Sequence, residues 1–371
     1  MMLRRRDVLA GGLAGALLAV APPARASVRP QWLGARVDAG NRFFASAFDG
    51  DGNAAFDLAL PARGHGFAQR PGRAEAVACA RRPGTYLAIL DLAAGTVRGL
   101  VANAPGRRFN GHGIFSADGS LFYASESDYD GERGVIGVYA ADRGYAPVAA
   151  WDSGGLDPHD VRLLPDGRTL VVANGGIVTH LDAPRMKLNT GGMDSTLAYL
   201  DAGDGRLRAV LRPPAGLGPL GIRHLAIAGD GQVAFAAQYE GPMVDLVPLV
   251  GTHRPGEPEL RLFEAAAPTL RAMRQYCGSA AMDAAGRVLG VSSPRGNLAT
   301  FWEVETGRVL SAAAVPDGCG IAAAGPDGGF IVASGLGGAG RFDAGTGEGV
   351  PLAGALAVRG RWDNHLLSLR G

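Results

Sequence analysis

Seven times along this chain a polar tip leads into a short apolar run and then, in most copies, a tight turn. The clearest copy is Asn110-Gly111-His112-Gly113-Ile114-Phe115 followed by Ser116-Ala117-Asp118-Gly119. The others begin at Gly64-His65-Gly66-Phe67, Pro158-His159-Asp160-Val161, Arg223-His224-Leu225-Ala226, Gly278-Ser279-Ala280-Ala281, Cys319-Gly320-Ile321-Ala322 and Asn364-His365-Leu366-Leu367. Most starts lie about 40–50 residues apart, and that period with strand-sized pieces is the signature of a β-propeller. Length alone would divide 371 residues into two or three domains. A repeat running end to end argues for one domain over residues 27–371.

Six groups of four strand-like runs follow the repeat: 65–68, 76–80, 86–90 and 96–100; 112–115, 121–125, 135–139 and 147–151; 161–164, 169–173, 196–200 and 207–211; 225–228, 233–238, 247–251 and 259–263; 280–283, 288–292, 298–303 and 309–313; 321–324, 330–334, 340–343 and 349–353. The seventh group is split. Three runs at 32–37, 42–48 and 55–60 lack a first partner, and one run at 365–369 lacks followers. Together they complete a blade. The expected fold is therefore all-β: a seven-bladed β-propeller of four-stranded blades, its ring closed by the N-terminal strands plus the C-terminal strand, which removes any open gap. An insertion spans 174–195, and the Ala-, Arg- and Met-rich connection 265–276 reads as a short helix. No helix long enough for a βαβ alternation is present in the pattern.

A formal net charge of +1 gives no electrostatic case for nucleic acid or an anionic membrane. The chain starts with Arg4-Arg5-Arg6-Asp7-Val8-Leu9, an apolar run over 10–21 and Ala24-Arg25-Ala26. This is the form of a twin-arginine (Tat) signal peptide, residues 1–26, too short to span a bilayer as a helix; a cleaved, periplasmic protein is expected. Cys79, Cys277 and Cys319 permit at most one internal disulfide. No covalent haem motif occurs. Gly335-Leu-Gly-Gly-Ala-Gly340 spells a dinucleotide fingerprint, but a strand follows it where the pyrophosphate would need a helix, so no nucleotide is expected. Asp49-Gly-Asp-Gly-Asn53 lacks the later ligands of a calcium loop.

In a propeller the first strand of each blade lines the channel, so the repeat places its tips around one mouth: His65, His112, His159, His224, Cys319 and His365. Five of the seven histidines in the chain occupy this position. Neutral imidazole is a common transition-metal ligand, and a thiolate would add preference for copper, zinc or iron. Opposite sides of a seven-bladed channel are far apart, so ring neighbours such as His65 with His112 or His365 are the better ligand pairs. The alternative is a structural histidine inherited by duplication. The loops between second and third strands add a rim of Arg81, Arg82, Glu126, Asn174, Gln238, Ser293 and Ser334, and the insertion with Arg185, Lys187 and Asn189 is expected over the mouth as a partial lid. Glu126, Asp128 and Asp130 form an acidic cluster able to complete a metal site, to act as a base or to be a solvated loop. The Asp-Gly turns at Asp118, Asp166, Asp230 and Asp327 read as hairpin chemistry.

These residues, together with Ser125-Glu126-Ser127-Asp128-Tyr129-Asp130, Leu163-Leu164-Pro165-Asp166-Gly167, Ser292-Ser293-Pro294-Arg295-Gly296, Pro316-Asp317-Gly318-Cys319-Gly320 and Trp362-Asp363-Asn364-His365, resemble the bacterial family called domain of unknown function 1513 over essentially the whole chain after the signal. The resemblance implies Tat-exported propellers whose genes sit beside imelysin-like and di-haem c-type oxidoreductase-like proteins, a setting of periplasmic iron uptake. It favours iron as the metal and such proteins as partners, and it implies no established activity. Three readings stand in order. The first is a periplasmic propeller binding a transition metal or metal chelate at a histidine-ringed mouth, accessory to iron uptake or envelope redox. The second is a non-catalytic interaction scaffold with a structural histidine ring. The third is a lactonase- or quinoprotein-like propeller enzyme using the region of His112 and Glu126. No residue is assigned a catalytic role.

Overall fold

The structure, a computed structural model, describes residues 29–183, 186–325 and 329–370. The expected signal peptide, Arg185 and the turn at Asp327 lie outside the described residues. Among the described residues regular structure is strand apart from two short helices, Ala267–Met273 and Ala355–Arg359, and two single 3-10 turns. The first helix falls within the connection expected to hold one; the second lies in a segment the sequence pattern did not single out.

The strands form five four-stranded antiparallel sheets and one eight-stranded sheet, each four-stranded unit a meander of the kind a propeller is built from. The eight-stranded sheet is two such units joined by one parallel pairing, Ile321 with His365. Its second half begins with Arg361–Ser368, which pairs with Trp32–Val37, so the two ends of the described chain share one sheet as the split group of runs requires. The leading strands of the seven units are Gly64–Gln69, Arg107–Phe115, Pro158–Leu163, Leu220–Ile227, Ser279–Met282, Gly318–Ala323 and Arg361–Ser368. Each packs against the next in that order, and Arg361–Ser368 packs back on Gly64–Gln69. Several begin earlier than the apolar pattern: Arg107–Phe115 pairs with its neighbour from Arg107 to Phe109, ahead of the polar tip Asn110-Gly111, which carries no hydrophobic alternation.

Alternation along each strand sends apolar side chains into the seams between neighbouring sheets. Leu33, Ala45, Phe56, Phe67, Ala76 and Ala88 fill the seam between the terminal sheet and the next. Val171, Leu197, Tyr199, Leu225 and Phe235 fill another. A buried Leu or Phe of this kind contributes about 1.5–3 kcal/mol. The Asp-Gly turns behave as read: Asp118, Asp166 and Asp230 each accept a backbone N–H two residues on. The three cysteines are buried and none is disulfide-bonded.

Candidate metal centre

The leading strands break register where their polar tips lie. The ladder skips between Gly64 and Phe67, between Phe109 and Gly113, between Pro158 and Asp160, between Ile222 and His224, between Gly318 and Ile321, and between Trp362 and Leu366. Such bulges re-aim a side chain out of the pleat. Ser279–Met282 carries no histidine and pairs without a break, whereas Gly318–Ala323, which carries none either, is broken at Cys319.

The bulges gather five imidazoles into one cluster. Ring centroids lie 4.4 Å apart for His112 and His365, 4.5 Å for His65 and His365, 5.0 Å for His65 and His112, 5.1 Å for His112 and His159, 4.9 Å for His159 and His224, and 5.0 Å for His224 and His365. The expected separation of opposite histidines is thereby corrected: long side chains reach across, so His224 meets His365 at 5.0 Å, as closely as the ring neighbours His65 and His112 meet. One nitrogen from each of His65, His112, His159 and His365 lies within 4.8 Å of the other three. All five rings are buried.

Their outer nitrogens are held in part by the protein. His65 Nδ1 is 2.9 Å from Asp363 Oδ1, and His365 Nδ1 is 3.2 Å from Ser279 Oγ. His112 Nδ1 is 3.4 Å from Asp160 Oδ1. Asp363 also accepts from Arg63 and lies 3.4 Å from Arg81 Nη1. Asp160 accepts from Arg162 and from the Leu225 N–H. Inward, Nε2 of His112 and His365, Nδ1 of His159 and both nitrogens of His224 are buried without a hydrogen-bond partner. Burial is the first cause holding all five imidazoles below their ordinary pKa. The other histidines and nearby Arg162 and Arg223 add to it at His112, His159, His224 and His365. At His65, burial outweighs the Asp363 carboxylate. Asp363 itself is held well below the carboxylate range: His65, Arg81 and Arg63 overcome the opposing and largest effect, burial. Neutral rings with buried, unpartnered lone pairs are the form in which histidine ligates metal.

The remaining sequence candidates go elsewhere. Cys319 occupies the tip position of its strand, but its thiol donates to the carbonyls of Ala333 and Trp362, both at 3.4 Å, and sits in the apolar seam with Trp32 and Phe48. Burial pushes that thiol far up, toward its protonated form. Glu126 is fully buried and not on an open rim; it accepts from the Tyr139 hydroxyl with Arg107 Nη1 at 3.2 Å. Asn174 is a buried latch, donating to Ser153 O and Thr196 Oγ1 at 2.9 and 3.0 Å. Arg82 pairs with Asp157, Lys187 with Glu240, and Gln238 donates to Cys277 O at 3.4 Å. Asn189 clamps its own loop through Val178 N–H and Gly176 O, Ser334 donates to Pro316 O, and Ser293 is buried. Of the rim set only Arg81 touches the cluster, through Asp363. The residues missed by sequence reasoning are Asp363 and Asp160, while Ser279 stands at the tip position of its own repeat. Asp160 and Asp363 stood one and two positions from a repeat histidine, and only the fold shows that each serves the histidine of another strand.

An all-β chain of propeller-like sheets with imidazoles gathered at strand bulges defines a class by fold and site. The chain belongs to the DUF1513 family, described as a protein of unknown function, which matches residues 58–369. No curated protein matches it. Among solved structures it is similar to hydrazine synthase of Kuenenia stuttgartiensis, with a TM-score of 0.61 at 14% identity over 87% of this chain and 96% of that one. At that identity the likeness concerns the fold.

Proposed function

We propose that the sheets are the seven blades of a closed propeller and that the histidine cluster at its centre binds a transition-metal ion. One observation carries the metal reading: four buried imidazoles from four different leading strands present nitrogens within 4.8 Å of one another, with inward Nε2 atoms on His112 and His365 left without any protein partner. Four nitrogens around one tetrahedral ion at about 2.0–2.1 Å lie about 3.4 Å from each other, so the set closes by shifts of at most about 0.7 Å per ring. The outer contacts fit as well. Metal-ligating histidines commonly donate their second N–H to a carboxylate or other fixed acceptor, and His65 has Asp363 in that place. Ser279 holds His365, and Asp160 stands near His112. The cyclic contact order of the leading strands and the pairing of the terminal strands support the closed ring.

An all-imidazole set suits copper, zinc, nickel or ferrous iron more than magnesium or calcium. Iron is favoured only by the family resemblance, which also implies a periplasmic accessory to iron uptake or envelope redox, with imelysin-like or di-haem proteins as partners. The test is elemental analysis of the purified protein, and of protein stripped and reloaded with each of the four ions, beside His112→Ala/His365→Ala. About one ion per chain in the wild type, lost in a variant of unchanged circular dichroism, is the expected result. A wild type that takes up none of the four ions returns the ring to a structural role and makes the interaction scaffold the leading reading.

A further inference from the structure

Beside the cluster, on the far side of Asp363, a cleft of about 550 Å³ opens to solvent. Its lining includes Arg63, Arg81, Arg295, Tyr276, Asp317 and Asn364. Segments at the ends of strands from several sheets supply these residues. Arg63 and Arg81 flank two strands of one sheet, Arg295 and Asp317 come from loops of two others, and Asn364 lies on the strand that carries His365.

The arginines are only partly spent on the carboxylates beside them. Arg295 lies over the Tyr276 ring, 4.2 Å from its centroid, and forms no ion pair among the described residues. Stacking fixes the plane of a guanidinium and leaves its N–H edge available. Arg81 reaches Asp363 only at 3.4 and 3.5 Å, and Arg63 binds it through Nε. Their side chains keep 30% and 46% of their exposure. Three arginines thus face Asp317 and the buried Asp363, an excess of one positive charge with both carboxylates ionised. Burial also pushes Asp317 up, toward its neutral form. Concave low-dielectric walls focus the field of that positive excess on the opening.

We infer that this cleft binds a small organic polyanion, a molecule carrying two or more carboxylate or phosphate groups. The guanidinium fork matches both groups bidentately. The volume lies within the roughly 300–1,000 Å³ of small-molecule sites and exceeds what one inorganic oxyanion fills. The Tyr276 ring and the Asn364 amide give the organic frame an apolar wall and a polar anchor. The site stands independently of the metal reading, and its test is made on metal-stripped protein so that failure of one leaves the other untouched.

The measurement is ligand-induced thermal shift with calorimetric titration, using citrate for the carboxylate arm and fructose 1,6-bisphosphate for the phosphate arm, against chloride, acetate and inorganic phosphate at equal ionic strength. At least one polyanion raises the melting temperature saturably, while the three small anions do not. Arg295→Gln weakens that binding by about tenfold or more, as loss of a charge-assisted pair requires. Arg308→Gln, which removes an exposed arginine at a strand turn of another part of the surface, leaves it unchanged. Arg295→Lys keeps the charge but loses the fork, and it recovers only part of the affinity. Two results overturn the inference: neither polyanion exceeding chloride, or Arg295→Gln binding as the wild type does while retaining its fold.

Discussion

At the scale of single residues, burial decides chemistry here more than charge does. Glu126 has a tyrosine hydroxyl and a guanidinium beside it, and both favour the ionised form. Burial still wins and pushes its carboxyl up to about 7. The sign of the consequence follows from linkage. A carboxyl that ionises near 4.5 in the unfolded chain and near 7 in the folded one binds more protons when folded. Its contribution is therefore fully present below about pH 4.5 and is lost as pH rises through about 7, by about 3 kcal/mol across that window. Glu126→Gln removes the ionisation, so urea midpoints of the variant should gain on the wild type between pH 5 and pH 8. Parallel midpoints across that range would show that Glu126 is ionised in the folded protein. The same contrast explains what could be seen of the site beforehand. His65, His112, His159, His224 and His365 were legible because a rare residue recurred at one repeat position. Glu126 and Asn174 looked like rim residues for the same positional reason, but a loop position does not say whether a side chain turns out or in. Both turn in, where each finds hydrogen-bond partners that lie far away in sequence or on another strand.

At the scale of elements, the device that builds the cluster is the bulge, and glycine makes it feasible. Gly111 has a φ of +107°, and a Cβ there would stand 2.6 Å from the His65 ring. Gly66, one strand away, faces the Gly111 carbonyl and the His112 ring at 2.5 and 3.0 Å. The two strands therefore interlock through glycine and histidine alternately, and a methyl group at either glycine pushes on the partner's imidazole. Gly111→Ala adds a strained backbone to that collision. It should lower the melting temperature and, if the cluster holds a metal, reduce the bound ion well below one per chain. Retention of wild-type stability and metal would mean the bulge relaxes without moving His65. The flanking pattern Gly64-His65-Gly66 and Gly111-His112-Gly113 was visible in the sequence, yet Gly318-Cys319-Gly320 shares it and ends differently. The bulge frees a residue from the ladder without choosing its direction, and an apolar thiol goes to the apolar seam while an imidazole goes to its polar neighbours. Strand existence was legible almost throughout because alternation and turn residues agree. The cluster geometry was not, since register breaks leave no trace in hydrophobic period.

At the scale of the whole molecule, the site and the pairing of the two terminal strands share one strand. Arg361–Ser368 carries His365 and Asp363, leads the terminal sheet, and pairs with Trp32–Val37 from the other end of the described chain. Asp363 reaches His65 on the next sheet and faces the arginine cleft, so this strand touches every functional element proposed for the protein. Gly34 is where that pairing is tightest: a Cβ there would meet Leu366 Cδ2 at 2.7 Å, Trp362 Cε3 at 3.2 Å and the His365 carbonyl at 3.3 Å. Gly34→Val overpacks the seam, and such changes cost about 1–3 kcal/mol. If the sheets form a closed ring, the strain is borne by the ring as a whole. Unfolding in urea then remains a single transition at a lower midpoint, coincident by tryptophan fluorescence and far-ultraviolet dichroism. If the terminal strands are instead a detachable flap, Trp32 and Trp362, which lie on the two paired strands, report an early separate transition while the remaining sheets persist. The fluorescence probe is placed on the closure by the sequence itself, because two of its four tryptophans lie there. A coincident transition in Gly34→Val would mean that closure is cooperative with the rest of the fold. The position of His365 would then be set by the ring and not by its strand alone.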